Sequence, residues 1–263
     1  MLTFTIVTPS FNQARFIRET IESVLSQDYP RVAYIVRDGG STDGTRDILR
    51  AYGDRLTWVS EPDAGQADAI NKGFADATGD ALAWLNADDA YEPGALRAVA
   101  GFFQANPTVG LVYGDIVHVG TAGQFLKHRS APLFDRDALL RHCFIPQPAA
   151  FFRREVWQAV GGLDARLHYA MDWDLWLRMA QKTEVRKLPA TLARFRWHGQ
   201  SKTFALGCAA AREAIYDVRR RHRPAAPFVD ARDYLAGALR AVVRSLLFRA
   251  REAGGAVTRR RRG

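Results

Sequence analysis

Along the first half of the chain, short apolar runs alternate with stretches in which apolar residues recur every three or four positions. Phe4–Thr8 reads as a strand closing on the turn Pro9-Ser10-Phe11-Asn12. Ile17, Ile21, Val24 and Leu25 then fall at helical spacing and predict an amphipathic helix that ends before Pro30. Val32–Val36 predicts a second buried strand, with Ile48 and Leu49 in the helix after it. A short strand at Leu56–Val59, a helix at Ala67–Ala77 and an apolar run at Ala81–Leu85 follow, the last ending abruptly in Asn86-Ala87-Asp88-Asp89. A helix over Gly94–Gln104 and a strand over Val109–Tyr113 complete the series. Strands that alternate with helices and end in polar or glycine-rich residues predict an α/β fold. Its mostly parallel sheet is covered on both faces, with the functional loops at the carboxyl ends of the strands.

The second half is less regular. Residues 115–145 predict only a connecting loop and a short helix near Asp135–Arg141, and Phe144, Gln147 and Phe151 are left without a role. Ala149–Phe152 reads as a strand, Glu155–Val160 as a helix stopped by Gly161-Gly162, and Met171 opens a helix with Leu175, Trp176 and Met179 on one face. Leu192–Trp197 predicts a closing strand before His198-Gly199-Gln200-Ser201. Beyond the basic run Arg219–Arg223 and Pro224, an amphipathic helix is expected about Asp230–Arg251, followed by Arg259–Arg262.

Charge sharpens the division. The chain has 263 residues and a net charge of +9. Residues 1–211 carry 23 basic and 23 acidic side chains, so the whole excess lies in residues 212–263. We expect one globular domain over 1–211 and a basic helical extension over 212–263. With 48% hydrophobic residues the body can bury a substantial core. Its neutral charge and lack of a basic-aromatic platform argue against nucleic acid as a partner. A basic amphipathic helix is a footprint for an anionic membrane surface. Cys143 and Cys208 make no disulfide or metal pattern, and the start of the chain reads as a strand rather than a leader. The expectation is a cytoplasmic protein, peripheral on the inner face of the membrane.

Asn86 and Asp88 lie two apart at a strand end, so their side chains project the same way in an extended chain. Such a pair suits a hard divalent cation shared with substrate phosphates; it equally suits a polar turn capping a helix. Asp38, also at a strand end, is placed to accept from a base or ribose, although its loop also reads as a tight turn with a helix cap. Asp172 and Asp174 flank Trp173 at a helix start, as N-terminal charges or as a general base in a partly apolar site. His198 reads as a surface histidine or, beside a cation, as a ligand.

The blocks TIVTPSFNQARFIRETIESVLSQDYP, RDGGSTDGT, EPDAGQADAINKGF, WLNADD, GGLDARLHYAMDWDLWLRMA and RWHGQS, in this order over residues 3–202, resemble the family 2 glycosyltransferases of GT-A fold. The resemblance implies an inverting transferase that moves a sugar from a nucleotide-sugar to a sugar or lipid-linked acceptor with Mg²⁺ or Mn²⁺. It implies a single Rossmann-like, mixed but mostly parallel sheet. Thr8, Pro9, Ser10 and Asp38 would contact base and ribose, and Asp63, Gln66 and Asn71 would line the donor side. Asn86-Ala87-Asp88 matches the metal-binding Asp-X-Asp with a neutral first residue, which leaves Asp88 and His198 for the metal. Asn86 then bonds the ribose or diphosphate, or holds the cation weakly through its carbonyl oxygen. Asp172 matches the general base, with Met171 where an acid often stands. The neutral Asn86 leaves open the alternative of a weak or inactive nucleotide-sugar binder.

Overall fold

The computed structural model describes residues 1–199, 201 and 209–222. The chain divides into two compact units, Met1–Trp197 and His198–Gly263. The first unit begins β1 (Phe4–Ser10), α1 (Ile17–Leu25), β2 (Val32–Asp38), α2 (Thr45–Arg50), β3 (Thr57–Ser60) and α3 (Gln66–Ala75). It continues β4 (Ala81–Trp84), β5 (Ala90–Tyr91), α4 (Ala95–Ala105), β6 (Val109–Val119), β7 (Phe125–Arg129) and α5 (Arg136–Arg141). It closes with β8 (Ala150–Arg153), α6 (Arg154–Val160), α7 (Met171–Met179) and β9 (Glu184–Arg196).

Among the described residues nine strands form one sheet, in the order β3-β2-β1-β4-β8-β6-β9-β5, with β7 paired to β6. The block β3-β2-β1-β4 is parallel. The direction changes at β8, which runs antiparallel to both β4 and β6. The fold is therefore α/β with a mixed, mostly parallel sheet in its first half. Every residue of β1 and β4 is buried, as continuous apolar strands require when helices cover both faces. The close seat of α3 on β1 depends on Gly73, where a Cβ would stand 2.6 Å from Val7 Cγ1.

The long strands exceed what the pattern predicts. β6 continues past Gly114 to Val119 because register shifts around Tyr113, Asp115 and Ile116 break the period without ending the pairing. Asp115 anchors this bend, accepting from Ala131 N (2.8 Å) and Lys187 Nζ (2.9 Å). Burial pushes its carboxyl up, but the hydrogen bonds from Lys187 and Ala131 outweigh that and hold it below the usual carboxylate range. β9 starts at Glu184, well before the expected Leu192, and includes Pro189. β5 pairs only with Ala193 and Arg194, so the first half of β9 is an edge beside β6, where charge and proline are tolerated.

In the second unit the described part includes a turn at His198, whose carbonyl accepts from Ser201 N (3.1 Å) and Ser201 Oγ (3.0 Å), and α8 (Ala209–His222). The division expected at 211–212 falls inside α8. The helix expected at Asp230–Arg251 and the run Arg259–Arg262 lie outside the described residues. Among the described residues no helix is long and apolar enough to cross a membrane.

Candidate active site

At the carboxyl edge of the parallel block, Ser10, Asp38 and Ser60 stand abreast in register. Both Asp38 oxygens accept bonds from the chain: Oδ1 from Ser41 Oγ (2.5 Å), Oδ2 from Ser41 N (2.9 Å) and Ser60 Oγ (2.6 Å). The loop behind it is tied to the β1 exit by Asn12 N to Ser41 Oγ (2.7 Å) and Thr42 N to Asn12 Oδ1 (2.9 Å). Ser41 and Thr42 amides are thus engaged internally, and the turn reading of this loop accounts for its geometry. Thr8 is sealed in the sheet with its hydroxyl 3.0 Å from Tyr34 Oη. Pro9 pairs in register with Arg37 inside β1. Ser10 Oγ is buried with no partner, an orphaned polar atom at the strand end where a ligand group could satisfy it.

Asp63 reaches the same edge from the loop after β3, its Oδ1 accepting from Gly65 N (2.8 Å). A Cβ on Gly39 would lie 2.7 Å from Asp63 Oδ2, so glycine there keeps room for this carboxylate beside Phe11.

The stretch after β4 forms the centre. Asn86 is held by two glutamines: Gln66 Nε2 donates to its Oδ1 (2.7 Å), and its Nδ2 donates to Gln147 Oε1 (2.9 Å). Gln147 Nε2 in turn donates to the Trp84 carbonyl (2.7 Å). Asp89 turns inward; Oδ1 accepts from Arg196 N (2.9 Å), and its carbonyl accepts from Thr20 Oγ1 (2.7 Å). Burial drives the Asp89 carboxyl well above the usual range, and the charge of Asp88 adds to this. Asp88 remains half-buried at the strand end. Its carbonyl accepts from Arg196 Nε (3.0 Å), while Arg196 Nη1 donates to Gly120 O (3.1 Å) and Nη2 to Glu19 Oε2 (2.6 Å). One buried guanidinium therefore holds the Asp88 loop to β9, α1 and the β6–β7 turn.

The structure separates the two acids of α7. Asp174 is fully buried and its Oδ2 is paired with Arg178 Nε (2.8 Å), while Arg178 Nη1 donates to the Val160 carbonyl (2.8 Å). Asp172 is only half-buried, and Oδ1 accepts from Trp173 N (2.9 Å). Trp176 stacks on Trp84, with centroids 5.5 Å apart and planes at 17°. Asp172 lies one turn earlier on the same face of α7. Burial raises the Cys143 thiol well above its ordinary value, and the charge of Asp172 raises it further.

Asn71 stands apart: Nδ2 donates to Leu163 O (2.9 Å) and Oδ1 accepts from Leu163 N (3.0 Å), clipping α3 to the loop after α6. His198 belongs to the second unit.

The profile of the Glycosyl transferase family 2 matches residues 5–161. The chain belongs to this family. The family 2 chain is 34% identical over 180 residues to the PGL/p-HBAD biosynthesis glycosyltransferase of Mycobacterium bovis, covering 66% of the chain and 68% of that relative. Solved structures with the same GT-A fold include S. aureus TarS 1-349 in complex with UDP-GlcNAc (TM-score 0.67, 17% identity, 91% of this chain and 72% of that one). Another is the mannosyltransferase PcManGT from Pyrobaculum calidifontis in complex with GDP-Man and Mn²⁺ (TM-score 0.63, 22% identity, 98% and 80%). The chain spans 43% of the longer TarS structure.

The family implies a divalent cation. Among the described residues no three His, Cys, Asp or Glu side chains converge on a metal position. Asp89 is turned to Arg196 and Asn86 is bound by glutamines, and Asp88 carries the other carboxylate of this stretch. A single carboxylate completed by substrate phosphate oxygens is a donor set that hard cations accept. Sequence reasoning missed Arg196, Gln147 and Glu19. Arg196 stood in the quoted block RWHGQS, and an arginine inside an apolar strand is the signal that could have found it.

Proposed function

We propose that the protein transfers a sugar from a nucleotide-diphosphate-sugar to an acceptor hydroxyl, with inversion and with Mg²⁺ or Mn²⁺. The observation that supports this reading is the Trp84–Trp176 stack, which packs the helix that begins with Asp172 against the strand that leads into Asp88. Asp172 would take the proton of the acceptor hydroxyl as that oxygen attacks the anomeric carbon opposite the leaving group. The bond from that carbon to the diphosphate breaks, and the nucleoside diphosphate departs. The cation, held by Asp88, would supply charge stabilisation for the diphosphate. Ser10, Asp38 and Asp63 are assigned to the nucleoside side, Gln66 and Asn86 to the sugar side. Thr8 and Pro9 would support the donor side from within β1, and Asn71 would support it by holding α3 in place.

The product proposed is a cell-surface glycolipid or polysaccharide; a relative named for PGL/p-HBAD biosynthesis supports the glycolipid. A lipid-linked acceptor would suit a basic extension over 212–263 resting on an anionic membrane. Liposome sedimentation of the full chain against a chain ending near Ala225 tests this contact; equal binding contradicts it. The enzymatic reading is tested by a thermal-shift screen of nucleotide-sugars with Mn²⁺, followed by donor hydrolysis with and without the metal. A donor that stabilises and is hydrolysed supports it. A donor that binds without turnover supports the alternative that the neutral Asn86 raises, an inactive binder.

A further inference from the structure

We propose that Gln147 is the positioning residue of the donor-sugar subsite, acting through Asn86 on Gln66; this rests on the transferase reading above. The chain of amides has a fixed sense. The Trp84 carbonyl can only accept, so Gln147 must present Nε2 to it (2.7 Å) and turn Oε1 toward Asn86. Asn86 must then donate through Nδ2 (2.9 Å), which leaves Oδ1 to receive Gln66 Nε2 (2.7 Å). Asp89 Oδ2, 3.4 Å from Asn86 Nδ2, is a second acceptor on the same side. An aspartate at position 86 would set a carboxylate oxygen against both acceptors. The neutral residue in the Asp-X-Asp position is therefore dictated by Gln147 and Asp89, and the relay explains a departure that the sequence only records.

The relay spans the place where a transferred sugar must lie. It starts at the N-terminus of α3, crosses the end of β4 two residues before Asp88, and finishes in the segment whose Cys143 feels the charge of Asp172. The nucleoside residues Ser10, Asp38 and Asp63 lie outside it, toward β2 and β3. Disturbing Gln147 should thus weaken recognition of the sugar and spare the nucleotide.

The test uses the full chain, with UDP–Mn²⁺ and GDP–Mn²⁺ as binding probes and the donor found by the screen for kinetics. Gln147→Glu keeps the shape but opposes an oxygen to the Trp84 carbonyl. It should raise the donor KM about tenfold while nucleotide affinity stays within about twofold, the loss expected for one unpaired buried polar contact. Asn86→Asp should do the same. Gln147→Lys supplies donors to both the Trp84 carbonyl and a carboxylate, so Asn86→Asp with Gln147→Lys should return KM to within about threefold of wild type, non-additively. Should Gln147→Glu fail to fold, this cycle carries the test alone. Wild-type KM in Gln147→Glu, equal loss of nucleotide and donor affinity, or additive effects in the cycle overturn the proposal. A wild-type protein that binds neither nucleotide overturns the transferase reading instead.

Discussion

Replacing Arg196 with alanine should be among the most damaging single changes in the fold, for a reason that can be worked out bond by bond. Its side chain is 3% exposed and donates to Asp88 O, Gly120 O and Glu19 Oε2. Its guanidinium also lies over the Phe16 ring at 5.3 Å. The ion pair itself counts for little, since Glu19 is 48% exposed; Glu19→Gln should cost about 1 kcal/mol or less. The two backbone carbonyls are different, because alanine leaves them without the charged donor they face. At about 1.5 kcal/mol or more for each charge-assisted bond, and with the cavity added, Arg196→Ala should cost about 3–5 kcal/mol. Arg196→Lys keeps the charge but cannot serve diverging acceptors with one ammonium, so it should fall between. Urea unfolding with unchanged slope would give these values. Arg196→Ala within about 1 kcal/mol of wild type would refute the reasoning, as would a Glu19→Gln loss equal to it.

Other expectations follow from the same contacts. Asp88→Ala should lower kcat about a hundredfold or more, whereas Asn86→Ala should act mainly on donor KM; steady-state kinetics at saturating Mn²⁺ would separate them. Gly73→Ala forces a methyl within 2.6 Å of Val7 and should cost about 1–3 kcal/mol in urea unfolding. Asp80 accepts from Thr3 Oγ1 (2.7 Å) and Thr3 N (2.9 Å), which hold its carboxyl below the ordinary value. A depressed folded-state value contributes stability that is present above about pH 4 and lost as pH falls further. Urea midpoints between pH 6 and 3 should therefore fall less steeply for Asp80→Asn.

Much of this was legible in the residues because the signals are local. The unbroken apolar runs of β1 and β4 announced buried parallel strands, and their polar ends marked the edge where Ser10, Asp38 and Asp88 stand. What was not legible depends on pairing between distant segments. Nothing near Pro189 says that its strand is an edge, since that follows from how far β5 extends. Asp172 and Asp174 look alike in sequence, and only Arg178 and Val160 separate the structural acid from the candidate base. Asn86 read as a weakened ligand because its partners, Gln66 and Gln147, lie 20 and 61 residues away. The block RWHGQS begins with Arg196, whose role appears only when β9 meets the Asp88 loop.

The most direct test of the account is the behaviour of Asp172→Asn, with donor binding by calorimetry and single-turnover transfer measured on the same preparation. Donor affinity should be unchanged and transfer slowed by about a thousandfold, the scale of a lost general base. Transfer near the wild-type rate would contradict it.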